Sequence, residues 1–271
     1  IHKVACRLGT TTLAYIHFSY YVRKYFPKLL YLTTEWSLME TSLNFLGLHY
    51  LLSPLEEVDT IVTNSRATKR ATQLITGRKD IGILNPPLGG HHMHPSEPYG
   101  KSKMALHAAR QDKTFLEKML AEFIIKLTAK HDNITVFVNG NKSRRIAKLA
   151  GRSCGVMVTR RLPYDAWRRV LRGASYYLHF KWFEGFGVAT AEAVAEGAIP
   201  IVYKSPLNGS WTDLARECKY CSFESVDEAL DSIEEIESDP KKREEINDFY
   251  FRKVGTFSIE KFSEKLLAKI Q

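Results

Sequence analysis

An apolar run, Ala174-Ser-Tyr-Tyr-Leu-His-Phe180, leads into Glu184-Gly-Phe-Gly-Val-Ala-Thr-Ala-Glu-Ala-Val-Ala-Glu-Gly197, and no other junction constrains the fold as much. So apolar a run is a strand covered on both faces, and a Gly-Phe-Gly turn before alanine-rich sequence opens a helix. Ile199–Tyr203 follows as another strand. The small-residue turn leaves backbone N–H groups pointing at solvent, with the positive end of the helix dipole behind them. That is a site for a phosphate or diphosphate. Glu184 stands in the loop at the mouth of this site. Glu192 lies about two turns down the helix, where a carboxylate can accept two hydrogen bonds from a vicinal diol. Diphosphate, diol and sugar hydroxyls together describe a nucleotide-sugar. The bland alternative is an amphipathic helix with two solvated glutamates.

The same alternation extends in both directions. Thr12–Phe18, Val58–Asn64 and Asp80–Leu84 read as strands, and residues 36–52 have helical apolar spacing. Asn64-Ser65 caps a helix running to Ile75, and Gly77 stops it. Residues 85–103, with four prolines, three glycines and His91, His92 and His94, form a linker that no helix can cross. The three histidines offer a metal site or, on the simpler reading, a substrate-lining loop. Beyond it, Met104–Ala108, Ile134–Val138 and Val156–Thr159 read as strands, alternating with helices at Phe115–Ala129, Ser143–Ala150 and Tyr164–Leu171. Helices near 225–237, 240–252 and 258–270 end the chain. This pattern is a doubly wound parallel sheet, in which ligands sit at the carboxyl ends of strands.

Charge is unevenly placed. Residues 89–223 carry 21 basic against 11 acidic groups, whereas residues 224–249 carry 3 against 11. A basic donor-side segment fits a phosphorylated substrate, an anionic membrane or nucleic acid. No nucleic-acid-binding motif is present, so nucleic acid rests on charge alone. Arg160–Arg161 and Arg168–Arg169–Arg172, like the acidic run, read as solvated helix faces. Four cysteines are no disulfide framework at 271 residues. They place the chain in a reducing compartment, with Cys218 and Cys221 as partly buried thiols rather than zinc ligands. Residues 15–31 interleave aromatic residues with Arg23, Lys24 and Lys28, and residues 43–55 are uncharged and apolar. Both suit peripheral contact with the cytoplasmic face of a membrane, and the second suits a core helix equally.

These segments together resemble the retaining GT-B glycosyltransferases of family 4, whose E-x7-E signature matches Glu184 and Glu192. Tyr15-Ile-His17 resembles the strand that ends in the family's donor-side histidine. Val58-Asp-Thr-Ile-Val-Thr-Asn-Ser65 with Ile83-Leu-Asn-Pro-Pro87 resembles the pair that closes its N-terminal domain. Leu178-His-x-x-Trp182-x-Glu184, Pro200-Ile-Val, a later Asn-Gly and Asp213 are most similar to the branch that extends lipid-linked oligosaccharides with mannose.

The resemblance implies an α/β GT-B fold of two Rossmann-like domains. Residues 1–88 would be an incomplete acceptor-side domain, 89–255 the donor-binding domain, and 256–271 a helix crossing back to the first. It implies a hexosyltransferase that retains anomeric configuration and needs no bound metal. The donor is a nucleotide-sugar, GDP-mannose by the branch, and the acceptor a hydroxyl of a lipid-linked or other glycan. Glu184 would hold the sugar hydroxyls with His17 over the sugar. Glu192 would hold the ribose. Gly185, Phe186, Gly187 and Val188, with Arg110 and Lys113, would hold the diphosphate. The basic pair departs from the family's G-R-x-x-x-x-K, reading Ala109-Arg110-Gln-Asp-Lys113. The glycine-rich first loop is absent, and 88 residues is short for a domain of about 150. The expectation is therefore that an upstream segment or a partner chain completes the catalytic unit. The rival is a nucleotide-sugar-binding module whose acceptor half lies on another polypeptide.

Overall fold

The computed structural model describes residues 5–8, 11–16, 60–89, 104–108, 114–131, 133–140, 142–151, 156–159 and 162–270. His17, His91, His92, His94, Arg110, Lys113, Arg160 and Arg161, and the apolar segment 43–55, lie outside them.

Two sheets carry the chain. The first runs β1 (Ala5–Leu8), β2 (Thr11–Ile16), β3 (Thr60–Thr63), β4 (Gly82–Ile83), in that order. β2, β3 and β4 are parallel, and β1 folds back antiparallel on β2 with Cys6 opposite Leu13. β1, which the sequence pattern did not mark as a strand, covers the outer edge of β2. β4 is shorter than the apolar run predicts. α1 (Arg66–Thr76) starts at Ser65, whose hydroxyl accepts the Thr68 N–H, and stops at Gly77, φ 70°. Those are the predicted caps.

The second sheet holds β5 (Met104–His107), β6 (Thr135–Asn139), β7 (Val156–Thr159), β8 (Tyr176–His179), β9 (Ile199–Tyr203) and β10 (Ser222–Phe223). Its spatial order is β10-β9-β8-β5-β6-β7, all parallel. That is the doubly wound order with its switch point between β5 and β8, the place where sheets of this kind bind ligands at their carboxyl ends. β8 is buried along its whole length, as its unbroken apolar run requires. α2 (Glu117–Lys130) inserts Leu120, Phe123, Ile124 and Leu127 into the larger core. α3 (Ser143–Leu149) adds Ile146 to it. α4 (Tyr164–Gly173) and α5 (Val188–Ala195) bring Leu171 and Ala193 to the smaller core around Leu106 and Tyr177.

After β9 the chain makes an unpredicted π-helical turn, Ser210–Ala215. α6 (Val226–Ser238), α7 (Pro240–Val254) and α8 (Ile259–Ile270) follow. α8 lays Phe262 and Leu266 on Val62 and Leu84 of the first sheet, while Phe257 joins the core of the second. The apolar stripe expected along 257–270 is therefore split. Ile259 and Leu267 are 57% and 59% exposed, because two successive turns of one helix cannot aim every apolar residue at so small a sheet.

One charge reading changes, and the reading of the acidic run as an exposed face holds. Arg168 and Arg172 of α4 both grip Glu196, whose side chain is 3% exposed, with Arg172 Nε 2.8 Å from Oε2. They are buried-carboxylate partners, not a solvated face, because burying Glu196 demands charge neutralisation. The acidic face of α6 pairs with α2, through Lys126 to Asp227 at 2.8 Å and Lys130 to Glu234 at 2.6 Å. Cys218 and Cys221 are likewise corrected: both are buried and joined as a disulfide. Among the described residues no helix is long and apolar enough to cross a membrane.

Candidate active site

The turn between β8 and α5 sits at the switch point, and its shape is enforced from below. Glu184 N–H donates to the Leu207 carbonyl at 3.1 Å, and its own carbonyl accepts Gly209 N–H at 2.9 Å. Asn208 Nδ2 donates to the carbonyls of Lys181 (2.8 Å) and Tyr203 (3.1 Å), while its Oδ1 accepts Ser210 N–H. Asn208-Gly209 is thus a strut beneath the Gly-Phe-Gly turn. A Cβ on Gly209 would lie 1.9 Å from the Gly185 carbonyl oxygen, and one on Gly187 would lie 1.8 Å from Ser210 Oγ. Gly187 also has φ 85°, the left-handed conformation that glycine alone adopts without strain.

Phe186 turns inward, edge-on to Phe257 at 5.3 Å, and anchors the turn. Only its backbone can face a ligand. Gly185 N–H is taken by Glu184 Oε1 at 3.1 Å. The N–H groups of Phe186, Gly187 and Val188 meet no acceptor among the described residues, and Val188 is 42% exposed. The helix N-terminus thus reaches solvent at Val188, while Gly185, Phe186 and Gly187 are buried.

Both signature carboxylates border this N-terminus. Glu184 accepts a hydrogen bond from Lys181 Nζ at 2.9 Å, and the side chains are 20% and 3% exposed. Glu192 is half-buried on α5. Between them lies Tyr177, whose buried hydroxyl has no hydrogen-bond partner among the described residues. Burial, reinforced by the charges of Glu184 and Glu192, pushes that hydroxyl far above its ordinary range, so it stays a neutral donor. Beneath the turn, Thr190 Oγ1 lies 3.3 Å from His179 Nδ1 and 3.0 Å from Ser210 Oγ.

On the other side of the switch point, β5 ends in His107. Its Nδ1 lies 2.9 Å from the Leu178 carbonyl, and its ring stacks on Phe115 at 4.9 Å. Nε2 has no partner among the described residues. Burial, with a smaller contribution from the Lys181 charge, pulls the imidazole down to about 4, while the bond to Leu178 opposes it. The ring is neutral near pH 7, with Nδ1–H donating.

The first sheet reaches this site directly. Ser65 Oγ donates to the Gly185 carbonyl. Arg66 N–H and Asn85 Nδ2 donate to Asp213 at 3.0 and 3.1 Å, and Thr212 Oγ1 adds a third bond at 2.7 Å. Burial raises the Asp213 carboxyl above its ordinary range, against these bonds. The Asn-Ser, Asn-Pro-Pro and Asp213 segments, far apart in sequence, therefore meet at one place.

Glu184, Gly185, Phe186 and Gly187 form the turn that leads into Val188 at the start of α5, and Glu192 stands one helical turn further along it, while His17, Arg110 and Lys113 lie outside the described residues. Sequence reasoning passed over Lys181, Tyr177 and His107. Lys181 stood at an unassigned position three residues before Glu184, and that spacing was the available signal. Nothing local marks a lysine as buried.

A search of curated protein sequences finds no match. Solved structures do match. Sucrose-phosphate synthase from Thermosynechococcus elongatus superposes with a TM-score of 0.70 at 14% identity, over 94% of this chain and 66% of that one. S. aureus TarM, in complex with UDP, α-GlcNAc-glycerol and fondaparinux, gives 0.68 at 14% identity, over 82% and 46%. WaaG, a glycosyltransferase involved in lipopolysaccharide biosynthesis, gives 0.60 at 16%, over 78% and 62%. The chain thus spans between about half and two thirds of these proteins, and the likeness shows the GT-B fold. The sequence family Glycosyl transferases group 1 matches residues 93–249, a stretch that takes in β5, the switch point, the glycine turn and both carboxylates. The chain belongs to the Glycosyl transferases group 1 family.

Proposed function

We propose that this chain moves a hexose from a nucleotide-sugar to a hydroxyl of a glycan acceptor with retention of configuration. The observation that carries the reading is the N-terminus of α5 at the switch point, where the N–H groups of Phe186, Gly187 and Val188 meet no acceptor among the described residues, with Glu184 before it and Glu192 one turn along the helix. The leaving group is a nucleoside diphosphate, so catalysis needs positive potential where phosphate charge develops. The N–H groups of Phe186, Gly187 and Val188 supply it, with Arg110 and Lys113 proposed to join them. Glu184 holds the sugar hydroxyls, Glu192 the ribose diol, and His17 closes over the sugar. Residues 89–255 form the donor-binding domain, residues 1–88 belong to the acceptor side, and 256–271 link back to it.

Mannose, carried by GDP, is the proposed sugar and a lipid-linked oligosaccharide the proposed acceptor, on the Leu178-His-x-x-Trp182 resemblance. Involvement of WaaG in lipopolysaccharide biosynthesis favours an acceptor at a membrane surface, which residues 15–31 and 43–55 would meet peripherally from the cytoplasmic side.

A calorimetric panel of GDP-, UDP- and ADP-sugars tests the reading, followed by turnover of the best binder. Glu184→Gln is expected to depress turnover at least about tenfold while leaving nucleoside diphosphate affinity within about twofold. Parallel loss of both would remove Glu184 from the sugar. Binding of no nucleotide-sugar would remove the proposal.

A further inference from the structure

The described residues place one buried ammonium group at the mouth of the site, and no role has yet been given to it. Lys181 emerges from the carboxyl end of β8 with its side chain 3% exposed and its Nζ 2.9 Å from Glu184 Oε2. A lysine is seldom buried so far unless its charge is needed and balanced there. Its backbone is fixed on both sides: Lys181 bridges antiparallel to Phe115, Asn208 Nδ2 holds its carbonyl, and Trp182 N–H donates to the Thr114 carbonyl. Glu184 is equally fixed through Leu207 and Gly209. Gly185 N–H holds the second carboxylate oxygen. The carboxylate thus has one donor on each oxygen, the Gly185 backbone N–H and the buried ammonium of a lysine whose own backbone is held on both sides. The remaining lone pairs are aimed, not free to rotate.

We propose that Lys181 is a positioning residue for Glu184, holding its carboxylate in a single rotamer so that the remaining lone pairs face the donor sugar. The proposal rests on the reading of Glu184 as the sugar-side carboxylate. It adds the Lys181 ammonium as the group that prepares this carboxylate before the donor arrives. Preorganisation of this kind acts on turnover more than on nucleotide binding, because the diphosphate is held elsewhere, at the N-terminus of α5.

The test is a double-mutant cycle on the full chain, read as kcat, KM and GDP affinity with GDP-mannose, or with the nucleotide-sugar of the panel that binds best. Lys181→Met is expected to lower kcat about 10- to 100-fold with GDP affinity within about twofold. Lys181→Arg is expected to recover part of it. On a Glu184→Gln background, Lys181→Met is expected to cost nothing further, since the group it positions is already neutral. A purely structural lysine would instead lower the unfolding temperature and GDP affinity together, and its effect would add to that of Glu184→Gln. Should Lys181→Met alone fail to fold, the neutral pair Lys181→Met with Glu184→Gln decides, and turnover well below Glu184→Gln alone overturns the proposal. Unchanged kcat in Lys181→Met beside an impaired Glu184→Gln also overturns it and leaves the reading of Glu184 standing. A silent Glu184→Gln removes both.

Discussion

Two side chains of the site have consequences that a single substitution can read. Glu192, half-buried on α5, is the proposed ribose ligand, and a hydrogen bond to a charged group contributes roughly 1.5–3 kcal/mol. Glu192→Ala is expected to weaken nucleoside diphosphate binding by about one to two factors of ten with little change in unfolding temperature. Unchanged affinity by calorimetry would rule out the ribose role. His107 carries a pH signature. Burial pulls its ring down to about 4 from the ordinary 6.5, so between those values the unfolded chain binds a proton that the folded chain does not. Stability therefore falls as pH drops from 6.5 towards 4, by up to about 3 kcal/mol. Asp213, raised above its ordinary range by burial, acts in the opposite sense, so the informative quantity is the difference between variant and parent. His107→Gln, which retains an N–H for the Leu178 carbonyl, is expected to flatten the acid slope in denaturant titrations over that window. Equal slopes would show that the buried ring is not its source.

At the scale of elements, the β8–α5 turn depends on two glycines for different reasons. Gly209 is required by proximity alone, since the Gly185 carbonyl occupies the space of a Cβ. Gly187 is required by proximity and by its positive φ. Gly187→Ala is expected to destabilise the fold by about 1–3 kcal/mol and to weaken nucleoside diphosphate binding. Adding Ser210→Gly should relieve the overlap with Ser210 while leaving the cost of the left-handed backbone, so stability recovers in part. Full recovery, or none, in the unfolding temperature of the pair would show that only one of the two causes operates. The pairing of α2 with α6 belongs to this scale too. Its lysine–carboxylate contacts are largely exposed and contribute little, so apolar residues such as Phe123, Ile124 and Ile233 hold those helices in place.

For the molecule as a whole, the question is what ties the first sheet to the second. Two sets of contacts do so among the described residues. Polar bonds run from Ser65, Arg66 and Asn85 to Gly185 and Asp213, and apolar contacts run from Phe262 and Leu266 to Val62 and Leu84. Leu266→Asp is expected to remove the second set and lower the opening free energy of the first sheet by about 1–3 kcal/mol. Amide exchange would then quicken in β3, α1 and β4 while β8 and β9 stay protected. Uniform loss of protection would show that the two sheets unfold as a single unit.

Local patterns determined most elements and the parallel, doubly wound class of the second sheet: unbroken apolar runs for β8 and β9, Ser65 and Gly77 at the ends of α1, and the glycine turn with its two carboxylates. Each of those is a property of a few adjacent residues, which a sequence states outright. Tertiary structure alone decided that β1 closes the edge of β2, that Arg168 and Arg172 share the buried Glu196, and that α8 leaves Leu267 exposed. It also decided that Lys181 is buried against Glu184 and that Asp213 meets the N-terminus of α1. Burial and pairing of charge depend on which distant segments arrive at the same place. A lysine three residues before a glutamate reads the same in water as in a crevice until Asn208, Thr114 and Gly209 are packed around it.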